Sequence, residues 1–303
     1  ARESLLRRIK TSLEQIEAQT GRTYGDPDNP LLVSVRSGAS ISMPGMMATI
    51  HNIGLNEEIA EAMAPSGRKK YLAWDNYRRF LQSWGMTSGV DREIFQALMN
   101  KAKERYAVTK KAHFSPEQMR ELALTYQQKV RSLGIGIPDD PWLQLIASIE
   151  MVLTSWDTAK TKEYRDLMGV SDYWGTAVIV QAMVFGNKDE HAGSGVVFTA
   201  HPYRTVRRVA LWGDYASGDQ GEDIVSGLVT ACPISLEQAA IDGRPAAESL
   251  ENKAPQIYQE LLAVARNLVY EKGWNPQEIE FTFEGPRKED LYILQTRDMI
   301  TMK

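Results

Sequence analysis

The chain has 303 residues, a net charge of −4, 43% hydrophobic and 24% charged residues, an ordinary balance for a globular protein with a substantial core in roughly two domains. That charge gives no electrostatic case for nucleic acid or an anionic membrane surface as partner. No apolar run reaches the length of a membrane span and the opening Ala-Arg-Glu-Ser-Leu-Leu-Arg-Arg lacks a signal-peptide core, so the sequence reads as cytoplasmic, or as the processed form of an organelle-stroma protein.

Leu5, Leu6, Ile9, Leu13 and Ile16 recur at helical spacing and predict a helix over residues 1–20, ended by Gly21 and Gly25-Asp-Pro27. Residues 31–35 read as a short apolar strand that delivers Arg36, Ser37 and Gly38 at its carboxyl end, ahead of a Met- and Gly-rich loop over 42–47. Such strand ends favour ligand-binding groups in α/β folds; a rim arginine without a ligand is the plain alternative. From 56 to 154 the pattern is helical, with helices predicted over 57–63, 69–83, 92–105, 115–133 and 142–156, the fourth opened by Ser115-Pro116-Glu117. Trp74, Tyr77, Trp84, Tyr126 and Trp142 recur among the apolar positions and are expected in the core. This segment reads as a helical insert with little chemistry of its own.

Strands are predicted over 176–185 and 195–199, with the loop His191-Ala-Gly193-Ser-Gly195 between them. Its glycines would let backbone N–H groups approach a phosphate; a tight hairpin without a ligand is the bland alternative. A strand over 208–212 precedes a Gly and acid cluster at 218–223, and the basic run 204–208 reads as a solvated face or a phosphate contact. Cys232, the single cysteine, excludes an internal disulfide, fits a reducing compartment and reads as a packed side chain. A long helix is predicted over 251–272.

The last strand pair carries the strongest local pattern. Period-2 alternation puts Glu278 and Glu280 on one face and Ile279, Phe281 and Phe283 on the other, while Gln295 and Arg297 share a face of the second strand. With 285–290 as the loop, Glu284 meets Leu291, Glu280 lies opposite Gln295, and Glu278 lies opposite Arg297. Two carboxylates, a carboxamide and a guanidinium would then converge, a set suited to Mg²⁺ with a polyphosphate, since that metal takes one or two carboxylates and phosphate oxygens supply the rest. An exposed hairpin with a cross-strand ion pair fits the spacing equally well. There is no P-loop, no HExxH and no GxSxG, and none of His51, His113, His191 and His201 follows a phosphocarrier pattern.

Taken together, Leu31-Leu-Val-Ser-Val-Arg-Ser-Gly-Ala39, Ser42-Met-Pro-Gly-Met-Met47, Tyr77-Arg-Arg-Phe80, Gly175-Thr-Ala-Val178, Gln181-Ala-Met-Val-Phe-Gly-Asn187, Gly193-Ser-Gly-Val196, Gln220-Gly-Glu-Asp-Ile-Val225, Glu278-Ile-Glu-Phe-Thr282 and Leu294-Gln-Thr-Arg297 resemble, in order, the nucleotide-binding domain of pyruvate phosphate dikinase. Phosphoenolpyruvate synthases and rifampin phosphotransferases use similar domains. The resemblance implies an α+β, ATP-grasp-like fold of two lobes clamping ATP: a first lobe at 1–187 with the helical insert at 56–154, and a second at 188–303 carrying the hairpin. It implies that Arg36 and Arg79 contact the ATP phosphates and that Gln181, Met183 and Val184 lie beside the adenine. It further implies that Gly193, Gly195 and Glu278 line the nucleotide site, that Glu280 and Gln295 hold Mg²⁺, and that Arg297 is, with Arg36, a catalytic arginine. The implied activity is transfer of ATP-derived phosphoryl groups to a carrier histidine on another domain.

The chain departs from the family pattern at four charged positions, where it has Ala48, Ala200, Val229 and Glu278 in place of an acid, two arginines and an aspartate. The family's first segment, with a phosphate-binding lysine, and its phosphohistidine and barrel domains are expected outside this sequence. A catalytically diverged module that senses nucleotide or binds a partner is the second reading.

Overall fold

The computed structural model describes residues 2–38, 43, 45–63, 67–201, 208–218 and 231–299. Ala39, Ser42, Pro44, most of the basic run 204–208, the acid cluster beyond Gly218, the motif 220–225 and Val229 lie outside the described residues. The chain divides into two compact units, residues 1–183 and 184–303. It is mixed α+β, with one antiparallel sheet of three strands and one of five.

The first unit opens with α1 (Arg2–Thr20), where the apolar spacing predicts it. β1 (Val33–Ser37) is the middle strand of a three-stranded sheet, between β2 (Thr49–Ile53) and β3 (Val178–Ala182). Leu31 and Leu32 precede β1 fully buried, and the Leu32 carbonyl accepts from Met183 N at 2.8 Å. β2 was not visible in the sequence: the backbone of Asn52 is left-handed (φ 57°) beside a bulge opposite Val33–Val35, which disrupts the two-residue alternation. β3 is shorter than the run 176–185, with residues 183–185 outside the strand.

The insert comprises α2 (Glu57–Ala62), α3 (Gly67–Thr87), α4 (Arg92–Arg105), α5 (Pro116–Ser132) and α6 (Pro141–Thr154). The start signal at Ser115 acts as expected. Ser115 and Gln118 form a reciprocal capping box with Pro116 in the first turn, and Asp140 accepts from Leu143 N ahead of Pro141. α3 is the axis: every residue from 71 to 81 is buried, and Trp74, Tyr77, Phe80 and Trp84 form a ladder with ring centroids 5.9, 6.2 and 5.5 Å apart. Tyr126 is buried too, whereas Trp142 is only half-buried in the first turn of α6. α6 is pinned to the sheet by Gln144, fully buried, which accepts from Gly54 N and donates to the carbonyls of Leu55 and Pro138. A further helix, α7 (Ala159–Met168), precedes β3.

The second unit is built on a five-stranded sheet in the order β6-β5-β4-β7-β8, with β4 (Gly193–Phe198), β5 (Trp212–Ser217), β6 (Cys232–Pro233), β7 (Gln277–Phe283) and β8 (Leu291–Asp298). The strand expected at 208–212 starts only at Trp212, and residues 209–211 approach it as buried irregular chain. The helices α8 (Leu236–Asp242), α9 (Leu250–Lys253) and α10 (Pro255–Arg266) follow β6. The single helix expected over 251–272 is broken at Ala254, because Pro255 has no N–H to continue the ladder and disfavours a helical residue before it; Ala254 sits at φ −138°, ψ 69°. One face of the sheet packs Val197, Tyr215, Ile279, Phe281 and Phe283 against Leu250, Ile257, Leu261 and Ala265, and Cys232 packs half-buried at the margin of that core.

Candidate functional site

Because side chains alternate across a strand, burying Ile279, Phe281 and Phe283 turns Glu278 and Glu280 to the opposite face. The register pairs Glu278 with Arg297 and Glu280 with Gln295, as the spacing predicts. The loop end differs: Phe283, not Glu284, pairs with Leu291, and a bulge at Leu294 restores the expected pairs beyond it. Across the sheet the same two rows continue through β4 and β5. Glu280 neighbours Val196 and then Asp214; Glu278 neighbours Phe198 and then Trp212.

The two carboxylates on this face are engaged differently. Glu278 Oε1 accepts from Arg297 Nη2 at 2.5 Å, and that bond is the main reason the guanidinium is pushed above its ordinary pKa. Asp214, further along the other row, accepts from Arg244 Nη1 at 2.7 Å. The Glu280 side chain makes no hydrogen bond or salt bridge among the described residues. Directly across from it is the Gln295 carboxamide, so a charged and a neutral oxygen donor sit side by side on a half-buried surface. No group of three or more His, Cys, Asp or Glu is placed to hold a metal among the described residues. The donor set therefore fits a hard divalent cation that draws its remaining ligands from a phosphate chain and water, the habit of Mg²⁺.

Gly193 and Gly195 depart from the expected loop placement. They lie inside β4, not in a loop, paired with β5 on one side and β7 on the other. A Cβ on Gly195 would come within 2.6 Å of the Phe281 ring and 2.7 Å of the Asp214 carbonyl; one on Gly193 would meet the Phe283 ring at 2.6 Å. Both positions lie on the core face, opposite Glu280, and are glycine because the rings of β7 occupy the space a side chain would need.

In the first unit, Arg36 lies near the end of β1, opposite Thr49 on one side and Ile179 on the other. Gln181 pairs with Ser34 on β3, which places it on the same sheet face as Arg36. Met183 follows, its carbonyl accepting from Arg22 Nη1 at 3.4 Å. Val184 begins the second unit, half-buried. Arg79 lies on α3 and is 4% exposed, its Nε donating to Asp75 Oδ2 at 3.2 Å.

That bond belongs to a cluster the sequence reading missed. Asp75 is fully buried; its Oδ1 accepts from Arg78 Nε (2.9 Å) and Nη2 (2.7 Å), and its Oδ2 from Arg79 Nε and Lys111 Nζ, both at 3.2 Å. Burial by itself would raise the carboxyl pKa, but Lys111, Arg78 and Arg79 together hold it well below the usual carboxylate range. Arg78 is spent on structure, since its Nη1 donates to Gln82 at 2.9 Å and its guanidinium lies 5.8 Å from the Tyr126 ring centroid. A signal was present in Trp74-Asp-Asn-Tyr-Arg-Arg-Phe80, where an acid and two arginines at i, i+3 and i+4 interrupt an aromatic face.

With this geometry in hand, comparison with known proteins decides the family. Residues 2–242 match the family model described as pyruvate phosphate dikinase, AMP/ATP-binding domain. The chain belongs to that family. It is 37% identical over 297 residues to pyruvate, phosphate dikinase of Rhizobium meliloti (strain 1021), covering 97% of this chain and 32% of that protein. Against the Clostridium symbiosum enzyme of the same name the identity is 36% over 294 residues, 96% of this chain and 31% of the relative. Against the Zea mays pyruvate, phosphate dikinase 1, chloroplastic, it is 35% over 291 residues, 95% and 29%. The chain thus spans about a third of the length of these pyruvate phosphate dikinases. No helix among the described residues is long and apolar enough to cross a membrane.

Proposed function

We propose that this chain binds ATP with Mg²⁺ and serves as the nucleotide-handling part of a pyruvate phosphate dikinase, passing ATP-derived phosphoryl groups to a carrier histidine on another domain. The observation that carries the reading is the unequal engagement of the two carboxylates on the β7 face: the Glu278 side chain is hydrogen-bonded by Arg297, while the Glu280 side chain makes no hydrogen bond or salt bridge among the described residues and lies opposite Gln295. Glu280 and Gln295 would hold the metal, which when bound offsets charge on the terminal phosphates. Arg297, already oriented by Glu278, presents a fixed guanidinium next to them. By the resemblance, Arg36 and Arg79 would contact the phosphates, and Gln181, Met183 and Val184 would border the adenine. Phosphoryl transfer asks of a protein mainly positioning and charge stabilisation, and these residues supply both.

Titration calorimetry of ATP against the chain with and without Mg²⁺ tests this. Saturable binding that strengthens with the metal supports it, and no saturable binding at millimolar nucleotide overturns it. A second reading, a diverged module that binds nucleotide without transferring phosphate, is favoured by Ala200, a methyl two residues beyond β4 where the resemblance calls for arginine. Labelled ATP supplied together with a pyruvate phosphate dikinase carrier domain separates the two: acid-labile phosphohistidine on the carrier supports transfer.

A further inference from the structure

We propose that Thr161, with Lys160 and Ser155, is a positioning residue of the nucleotide site: the three hold the β1–β2 loop, and with it the carboxyl end of β1, in the place from which the phosphates are met. The inference rests on the reading that this strand end faces the phosphates of ATP. Arg36 pairs with Thr49, so the loop that leads from β1 into β2 is rooted at that pair.

Three backbone groups of the loop are engaged by side chains far along the chain. Thr161 Oγ1 donates to the Met46 carbonyl at 3.0 Å, Lys160 Nζ donates to the Gly45 carbonyl at 2.9 Å, and Ser155 Oγ accepts from Ala48 N at 3.1 Å. Gly45 has a left-handed backbone (φ 67°) and Met46 N donates to the Met43 carbonyl at 3.1 Å, so the chain turns tightly between these anchors. Met43 is buried with Trp156 and Val170, and Met46, Met47 and Tyr164 pack against them.

The segment that grips the loop is itself clamped. Arg165, fully buried, donates from Nη1 to the Trp156 carbonyl at 2.5 Å and from Nε to Asp172 Oδ1 at 2.9 Å, and its guanidinium lies 4.2 Å from the Trp156 ring centroid. These contacts tie the 3-10 turns Ser155–Asp157 and Asp172–Trp174 to α7. A loop fastened to such a piece meets its ordering cost before any ligand arrives. The anchors differ in weight. Thr161 is fully buried, with Thr158 Oγ1 2.8 Å from its hydroxyl, so water has no access to replace its bond; Lys160 is exposed and shares its bond with solvent. Freeing the loop would shift the end of β1, and a small misplacement there costs the contacts to the outer phosphates first. AMP lacks those phosphates and is the natural control.

The test is calorimetry of Mg-ATP and AMP with the wild-type chain, Thr161→Val, Thr161→Ser and Lys160→Met, with thermal melting of each. Thr161→Val keeps the shape and removes the hydroxyl. It is expected to weaken Mg-ATP binding by about fivefold or more while leaving AMP within about twofold, and Thr161→Ser to recover most of the loss. Lys160→Met, a surface change, is expected to weaken Mg-ATP by about threefold with AMP unchanged, and it decides the matter if Thr161→Val does not fold. Equal losses for ATP and AMP, or no recovery in Thr161→Ser, would mean a merely structural role and overturn the inference. Mg-ATP binding unchanged in both Thr161→Val and Lys160→Met overturns this inference alone. Absence of ATP binding by the wild-type chain overturns the nucleotide reading and takes this inference with it.

Discussion

The Asp75 cluster and the β7–β8 face both set carboxylates against cations, yet in opposite surroundings. In the first, Asp75 sits among aromatic side chains of α3 with no exposure, and three cations converge on it. In the second, Glu278 and Arg297 pair on a sheet face where the arginine is 37% exposed, and the neighbouring Glu280 side chain makes no hydrogen bond or salt bridge among the described residues. Solvent screens the partly exposed second set far more than the buried first. Buried charge must be balanced inside the protein and becomes part of its stability, whereas charge on a half-open face can stay unbalanced and await a ligand. The insert, which by sequence carries little chemistry, thus fixes Arg79 in place, and the hairpin carries Glu280 opposite Gln295.

The sharpest way to break the contrast is Asp75→Ala. Removing the carboxylate strands buried guanidinium groups, and a loss of about 3–5 kcal/mol is expected in denaturant unfolding, against far less for the same change at Glu278. Acid should act in the same place. Asp75 has a depressed pKa in the folded state, so its contribution is complete above the unfolded value near 3.8 and is lost as pH falls from there through the folded value. Wild-type protein is therefore expected to lose stability on acidification below about pH 4 more steeply than Asp75→Asn. Parallel acid profiles for the two proteins would show that the cluster is not a stability element.

A smaller effect is expected on the core side of the β-sheet. Gly195→Ala would place a Cβ 2.6 Å from the Phe281 ring and should destabilise by about 1–3 kcal/mol through overpacking. A neutral result would show that the Phe281 ring can move aside to admit a side chain. The smallest effect belongs to Glu278→Gln. The pair with Arg297 is partly open to water, so unfolding free energy should change by no more than about 1 kcal/mol. A loss as large as that of Asp75→Ala would erase the distinction between the two regions.

How much of this was legible in the sequence follows from range. The hairpin was readable because its logic is local: alternation sets the faces, and the strand pairing reaches only across one loop. Even there the bulge at Leu294 was invisible, and the expected pairs at Glu278 and Glu280 hold because they lie beyond it. The cap at Ser115 was likewise written in neighbouring residues. The Asp75 cluster was not, since Lys111 joins it from 36 residues away and periodicity describes only α3 itself. Gly193 and Gly195 were placed in a loop for a related reason: a glycine of a turn and one that admits a neighbouring phenylalanine look the same until the sheet is assembled.

The central claim is that Glu280 is a metal-holding carboxylate that the fold does not need for its own stability. Calorimetry of ATP with and without Mg²⁺, run on wild-type protein and on Glu280→Gln with thermal melting of both ligand-free forms, tests it directly. The account expects the Mg²⁺-dependent gain in ATP affinity to fall by about tenfold or more in Glu280→Gln, with the apo stability within about 0.5 kcal/mol of wild type. A variant that keeps the full Mg²⁺-dependent gain, or one whose apo form is strongly destabilised, would contradict it.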